Sequence, residues 1–214
     1  MTGDIAAIRK TYSQKSLSEK DAAADPITQF DYWWKEAVSS SIDEVNAMTL
    51  ATASADGLPS ARIVLLKGFD ENGFCFFTNY NSFKGQQVAE NPKACLVFFW
   101  KELERQVRIT GLIEKLDVSA SDAYFNSRPL ESRVGAIVSP QSQVIESREW
   151  LDQQYAAAAK KATNDKLERP EHWGGYIVKP VMIEFWQGRP GRLHDRLQYG
   201  LQDNGGWKIE RLAP

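Results

Sequence analysis

The stretch from residue 46 to residue 116 constrains the fold most, because it consists of short β-rich runs separated by turn signals. The turn sequences ADGLP and DENG divide residues 46–80, for which we predict three sequential antiparallel strands. The runs KACLVFFW and RQVRITGLIEKL predict two more strands, joined at KELE. This succession argues against a βαβ fold, in which helices would alternate with the strands.

Helical patterns lie before and after this β-rich stretch. DPITQFDYWWKEAVSSS places Ile27, Phe30 and Val38 at helical spacing after an Asp-Pro start. Helical patterns return at SASDAYFNSR, ESRVGAIVS and SREWLDQQYAAAAKKA, and strands return at GYIVKPVMIEFWQ, GRLHDRLQYG and WKIERLAP. We predict a mainly β protein, an antiparallel barrel with appended helices. We expect residues 1–25 to form a mobile N-terminal arm and residues 26–214 a single domain.

Composition excludes several classes of partner. The chain carries 26 basic and 28 acidic residues, a net charge of -2, so no global field attracts nucleic acid or an anionic membrane. No apolar stretch approaches the ~18 residues of a membrane span, and the N-terminus lacks the order of a signal peptide, so we expect a cytoplasmic protein. Cys75 and Cys95 lie in apolar runs, typical of reduced thiols. His172 and His194 are far apart in sequence, so we expect no zinc site.

Two segments carry polar groups suited to a phosphate. Arg62 and Lys67 bracket the apolar run of ARIVLLKGF, where solvated flanking residues are the commoner interpretation. TNYNSFKGQQ places Thr78, Ser82 and Lys84 in a turn that leads into a helical pattern, which offers hydroxyls, backbone N–H groups and a cation. Neither segment identifies a phosphate site by itself.

Two further segments have the same ambiguity. In DAYFNSRPLESR, Tyr124 and Arg128 share one face of a helical turn, and the next helix carries Ser132. These groups suit a second phosphate, although an exposed helix corner is an equally good interpretation. In SPQSQ, Gln141 and Ser142 offer donors and acceptors for a planar heterocycle, but a polar loop is the commoner meaning.

The C-terminal segment IEFWQGRPGRLHDR resembles the signature of the pyridoxine (pyridoxamine) 5'-phosphate oxidase family, and every specified position is met. Similar blocks lie before this segment in family order, among them ARIVLLKGF, FFTNYNSFKG, RQVRITG, YFNSRPLESR and SPQSQVI. The resemblance implies an FMN-binding split barrel, antiparallel and Greek-key-like, that forms a homodimer with FMN at the subunit interface. It also implies oxidation of pyridoxine 5'-phosphate and pyridoxamine 5'-phosphate to pyridoxal 5'-phosphate, with hydride transfer from C4' to flavin N5. O2 would be the acceptor, giving H2O2, with ammonia released from the amine.

The resemblance also implies a role for each matching residue. The cofactor contacts fall on Arg62, Lys67, Phe77, Thr78, Lys84, Gln106, Gln141, Ser142, Trp186 and Arg196. The substrate contacts fall on Arg9, Tyr12, Lys67, Tyr124, Arg128, Ser132, Arg192 and His194, of which Arg192 and His194 would be catalytic at the pyridine ring. We expect both to point to one side of a strand, two residues apart. Whether His194 removes a proton or only donates a hydrogen bond stays open.

The chain departs from the family pattern at one position, and three alternative functions remain. Phe83 stands where many members have a second basic residue, which predicts weaker FMN retention by about fivefold. A phenazine-biosynthesis FMN oxidase would have a similar ending but an unphosphorylated tricyclic substrate, against which Lys67, Tyr124, Arg128 and Ser132 argue. A non-catalytic module that binds FMN or pyridoxal phosphate is a second alternative. A flavin reductase is a third, although no glycine fingerprint for a dinucleotide is visible.

Overall fold

The computed structural model describes residue 7 and residues 10–162 and 167–214. In this part of the chain the helices are α1 Pro26–Ser39, α2 Phe83–Glu90, α3 Val118–Ser127, α4 Leu130–Val138 and α5 Arg148–Lys161. The strands are β1 Ala47–Ala53, β2 Pro59–Leu65, β3 Gly68–Asp70, β4 Gly73–Asn79, β5 Lys93–Trp100, β6 Arg105–Lys115, β7 Trp173–Gln187, β8 Asp195–Leu201 and β9 Trp207–Arg211. The prediction of a mainly β protein with appended helices is confirmed.

The strands pair in the order β2-β1-β5-β6-β7-β4-β3, with β8 on β7 and β9 on β8. The β4–β7, β7–β8 and β8–β9 pairs are antiparallel. The chain divides into two compact units. Unit 1 comprises Met1–Thr49, Cys95–Thr110 and Pro180–Pro214, and unit 2 comprises Leu50–Ala94 and Gly111–Lys179.

Unit 1 has an aromatic core built on α1. Asp25 caps this helix by accepting a hydrogen bond from the Thr28 N–H at 2.8 Å, and Pro26 occupies the first turn, as the Asp-Pro start predicts. The buried Phe30 ring lies 5.3 Å from Phe98 of β5, centroid to centroid. Burial of this helical face, and not helix propensity alone, therefore fixes α1.

Unit 2 has its core between β4, the start of β7 and α3. Phe76 of β4 lies 5.7 Å from Tyr176 of β7, and both are almost fully buried. Phe125 of α3 is fully buried and makes an edge contact with Trp173 at 5.4 Å. Because these rings fix α3 against the sheet, the turn that follows α3 has a defined place.

Two strand predictions need correction. Residues 46–80 form four strands and not three, because the run after Arg62 breaks at Leu66 and Lys67 and resumes as the short β3. The predicted strand GRLHDRLQYG begins only at Asp195, since Pro190–Arg192 forms a 3-10 turn in which Gly191 and Arg192 both have positive φ. Strand alternation therefore does not orient Arg192 and His194. The division of the chain at residue 25 and the single domain stay predictions.

Candidate active site

One pocket of unit 2 gathers four basic side chains, and we call it the cation pocket. It has a volume of about 720 Å³, and its cations are Arg62, Lys67, Lys84 and Arg128. No aspartate or glutamate is among the described residues that line it. None of the four cations forms an ion pair within residues 10–162 and 167–214. An uncompensated cluster of this kind in a chain of net charge -2 is suited to anions.

The Lys84 ammonium is held by neutral oxygens. It donates to Thr78 Oγ1 at 3.2 Å and to Gln141 Oε1 at 3.1 Å. Ser82 caps α2, which places Lys84 in the first turn. Gly85 permits this turn, because a Cβ there would lie 2.0 Å from the Tyr80 carbonyl oxygen. The lysine is thus fixed in position while its charge stays unneutralised.

Arg62 is held in the same way. Its Nη1 donates to Thr52 Oγ1 at 2.6 Å and to the Leu50 carbonyl at 3.3 Å, and its Nη2 approaches Gln87 Oε1 at 3.5 Å. Burial lowers the pKa of Arg62, and burial together with the charge of Arg62 lowers the pKa of Lys84. Both shifts have the sign expected when cations are desolvated without a counterion.

The other side of the pocket is built on the α3–α4 corner. Tyr124 stacks on Phe77 with centroids 3.9 Å apart, and the Arg128 guanidinium lies 4.7 Å from the centre of the Trp173 ring. Arg128 Nη1 is buried and makes no hydrogen bond within the described residues. Burial lowers the pKa of Arg128, partly offset by Tyr124. An orphaned buried donor in a basic pocket indicates a place for a further acceptor.

A smaller pocket lies in unit 1, and we call it the histidine pocket. It has a volume of about 360 Å³, and its lining includes Tyr12, Arg192 and His194. The His194 ring lies 4.6 Å from the Trp186 ring and 5.9 Å from the Tyr12 ring, centroid to centroid. The turn Pro190–Arg192, and not a strand, carries Arg192 into this pocket.

The tautomer of His194 follows from one hydrogen bond. The backbone N–H of Arg189 donates to His194 Nδ1 at 3.1 Å. Because Nδ1 is the acceptor, the neutral ring carries its proton on Nε2. In this tautomer His194 presents an N–H donor at Nε2.

The structure thus brings the predicted site residues into two separate sets. The cation pocket contains Arg62, Lys67, Phe77, Thr78, Lys84, Tyr124, Arg128, Ser132 and Gln141. The histidine pocket contains Tyr12, Arg192 and His194, and Trp186 contacts it through the rings of Tyr12 and His194. Gln106, Ser142 and Arg196 line neither pocket in the described part of the chain. Arg9 lies outside the described residues.

Arg196 and Ser142 have their own local settings. Arg196 Nε donates to the buried Glu184 at 2.8 Å, and its Nη1 donates to the Ala213 carbonyl at 2.7 Å. It lies opposite Trp186 in the β7–β8 register. Ser142 is exposed in the loop after α4 and has a φ of 71°.

Sequence reasoning missed three residues that support the site. Trp173 supports Arg128, Gln87 accepts hydrogen bonds from Thr52 and Arg62, and Arg189 fixes the His194 tautomer. The helical spacing from Lys84 to Gln87 was a signal for one of them. The contact of Arg189 is made by its backbone, so its side-chain identity carried no signal.

Among the described residues, no group of histidine, cysteine or acidic side chains has the arrangement of a metal site. Both cysteines are free thiols, and burial raises the pKa of each. No helix in the described ranges combines the length and apolar character that crossing a membrane requires.

Comparison with solved structures defines the class of fold. A pyridoxamine 5'-phosphate oxidase-related, FMN-binding protein from Nostoc punctiforme aligns over 90% of this chain and 100% of its own, with a TM-score of 0.72 and 20% identity. PhzG from Burkholderia lata, solved with tetrahydrophenazine-1-carboxylic acid, aligns over 94% of this chain and 100% of its own, with a TM-score of 0.88 and 31% identity. The fold is that of the FMN-binding split barrels.

Sequence comparison then gives the family. The family model described as pyridoxamine 5'-phosphate oxidase matches residues 34–161, and the pyridoxine 5'-phosphate oxidase C-terminal dimerisation region matches residues 173–214. A pyridoxine/pyridoxamine 5'-phosphate oxidase of Nostoc punctiforme is 56% identical, and one of Trichormus variabilis is 55% identical, each over 100% of both chains. The chain belongs to the pyridoxamine 5'-phosphate oxidase family.

Proposed function

We propose that the protein is an FMN-dependent oxidase that converts pyridoxine 5'-phosphate and pyridoxamine 5'-phosphate to pyridoxal 5'-phosphate. The observation that carries this proposal is the cation pocket, in which four basic side chains lie without an acidic neighbour among its described lining residues. Two phosphates, one from the cofactor and one from the substrate, would neutralise this charge.

The donor set fits FMN. Arg62, Lys84 and Thr78 would hold the cofactor phosphate, since two cations and a hydroxyl suit a group of nearly two negative charges. Gln106, Gln141, Ser142, Trp186 and Arg196 would contact the ribityl chain and flavin ring. When bound, FMN would supply the redox chemistry: a hydride from substrate C4' and a proton from its hydroxyl or amino group would together reduce O2 to H2O2, and water would release ammonia from the oxidised amine.

The other residues would bind and orient the substrate. Lys67, Tyr124, Arg128 and Ser132 would hold its phosphate, with the orphaned Arg128 Nη1 as one donor. Arg192 would press its planar guanidinium on the pyridine ring. His194 would donate from Nε2 to an oxygen or nitrogen of the substrate and would not act as the base.

We further propose that the active form is a homodimer with FMN at the subunit interface. The match of residues 173–214 to a region described as C-terminal dimerisation supports it. A second copy would bring its histidine pocket to the cation pocket of the first. This arrangement would assemble residues that the two units of one chain hold in separate pockets.

The second candidate is a phenazine-type oxidase, favoured by the TM-score of 0.88 with PhzG. The ligand in that structure, tetrahydrophenazine-1-carboxylic acid, is a carboxylated tricycle without a phosphate. Lys67 and Arg128 would then have no phosphate to bind. Relatives at 55–56% identity that carry the oxidase name favour the first candidate.

Anaerobic spectroscopy tests the proposal. Pyridoxine 5'-phosphate should bleach the visible absorption band of the bound flavin, and readmitted O2 should restore it. Unphosphorylated pyridoxine at the same concentration is the matched control and should leave the band unchanged. Bleaching by tetrahydrophenazine-1-carboxylic acid alone would favour the second candidate, and a flavin that neither compound reduces would contradict both.

A further inference from the structure

Glu104 is a buried carboxylate that connects two segments of unit 1. It follows a 3-10 turn, has a φ of 54°, and its side chain is 3% exposed. Its carbonyl oxygen accepts from the Gly188 N–H at 2.7 Å and from Gln187 Nε2 at 3.2 Å. The backbone of Glu104 therefore fixes the end of β7, from which the chain enters the turn of the histidine pocket.

The side chain of Glu104 holds the N-terminal segment. Oε2 accepts from the backbone N–H groups of Ser13 at 2.8 Å and Gln14 at 3.1 Å, and Oε1 lies 3.5 Å from Lys10 Nζ. Burial alone would raise the pKa of Glu104, but the two N–H groups and the Lys10 ammonium outweigh it, and the pKa is lowered. If the segment left, a buried charge would lose these partners, which is costly.

Tyr12 lies within the segment that Glu104 holds. The Tyr12 ring makes edge contacts with Trp186 at 5.7 Å and with His194 at 5.9 Å. It packs directly on the backbone of Gly188, where an added Cβ would lie 2.7 Å from Tyr12 Cγ. Tyr12 thus rests on the same short segment that Glu104 fixes through its carbonyl oxygen.

We propose that Glu104 is a positioning residue that latches residues 10–14 through the Ser13 and Gln14 amides and so keeps Tyr12 against His194. Its effect on turnover rests on the proposed function, in which Tyr12, as the family resemblance implies, would contact the substrate. The latch itself is a property of the protein and does not depend on which substrate is oxidised.

Hydrogen exchange tests the latch without reference to activity. Glu104→Gln removes the negative charge. Its carbonyl oxygen can take the place of Oε2 only as an uncharged, weaker acceptor for both N–H groups, and its NH2 group then faces the Lys10 ammonium. We expect amide exchange in residues 10–17 of the purified protein to become about tenfold faster or more. Glu102→Gln is the matched control, because Glu102 lies in the same turn with its side chain 46% exposed, and it should leave exchange unchanged. Equal exchange in wild type and Glu104→Gln would overturn the latch.

A double-mutant cycle tests the route through Tyr12. Glu104→Gln should lower kcat/KM for pyridoxine 5'-phosphate about tenfold in the wild-type background and by less than about twofold in a Tyr12→Ala background. Additive effects would overturn the role of Glu104 in positioning Tyr12. If wild type itself lacks turnover, the proposed function fails, whereas the exchange result still decides the latch.

A second variant guards against misfolding of Glu104→Gln. Ser13→Pro leaves the carboxylate intact and deletes one of the two N–H donors. Amide exchange at Gln14 should become faster in this variant, as it does in Glu104→Gln. Unchanged exchange at Gln14 in this variant would also overturn the proposal.

Discussion

At the scale of single residues, the cations of the cation pocket have no acidic neighbour among its described lining residues. Arg62 and Lys84 are fixed by hydroxyl, amide and carbonyl oxygens, none of which carries a full negative charge. Such acceptors fix the geometry of a cation without cancelling its field. The charge therefore stays available to a bound phosphate.

The first prediction concerns Lys84. Replacing it with alanine removes a charge-assisted contact to a non-reacting phosphate, so FMN binding should weaken by about 1.5–3 kcal/mol, which raises the Kd roughly 10- to 150-fold. Turnover at saturating FMN should change little. Flavin titration and steady-state kinetics measure the two effects. Lys93→Ala, an exposed lysine outside the pocket lining, is the control.

The second prediction separates Arg128 from Arg192. Arg128→Lys keeps the positive charge but loses the bidentate guanidinium contact with the phosphate. It should therefore mainly raise KM, by a factor that corresponds to about 1–2 kcal/mol. Arg192→Lys loses the planar contact with the ring in the transition state, so it should lower kcat with FMN content unchanged. If Arg192→Lys kept the wild-type kcat and lost flavin instead, Arg192 would be a cofactor contact.

At the scale of elements, sequence patterns predicted those parts whose signal is local. The sequence correctly indicated the Asp-Pro start of α1, the run of β5 and the turn at Ser82 that leads into α2. Gly191 and Arg192 were predicted to begin the strand GRLHDRLQYG, whereas both have positive φ in the turn Pro190–Arg192. No local pattern indicated that Glu104 holds Ser13, because the two residues are far apart along the chain.

The third prediction concerns the pH dependence of the Glu104 anchorage. The pKa of Glu104 is lowered in the folded chain, where the Ser13 and Gln14 N–H groups and Lys10 face it. Its contribution is therefore fully present above its ordinary pKa of 4.5 and is lost as pH falls through the lowered value. The difference in unfolding free energy between wild type and Glu104→Gln should be about 1–3 kcal/mol at neutral pH.

Urea unfolding of both proteins as a function of pH measures this difference. The difference in unfolding free energy should be constant above pH 4.5 and shrink only in more acidic solution. A difference that instead shrank as the pH rose would mean that the carboxylate is destabilised in the fold. Glu102→Gln should match wild type throughout.

At the scale of the whole molecule, the family resemblance predicted more than the patterns did. The blocks around Lys84 and Tyr124 are far apart along the chain, yet their side chains line one pocket, which no periodicity indicates. The separate histidine pocket was not foreseen, because a linear motif does not say which residues of one chain meet. In the proposed homodimer, a second copy would bring the residues of the two pockets together.

The fourth prediction is that the protein is a homodimer with two equivalent FMN sites. Light scattering after size-exclusion chromatography should give about twice the chain mass of 24.2 kDa. Bound flavin should amount to about one per chain in the dimer peak. A monomer that keeps one FMN per chain would contradict an interface site.

The like charges of the cation pocket repel one another whenever no anion lies between them. This repulsion raises the free energy of the folded chain, whereas in the unfolded chain the same side chains are hydrated and spread apart. An anion that binds only the folded form relieves the repulsion and stabilises that form by mass action. Under the proposed function, the amount of protein that a cell maintains would depend on its supply of phosphorylated ligands, and a shortage of cofactor would remove molecules from the folded population as well as emptying their sites.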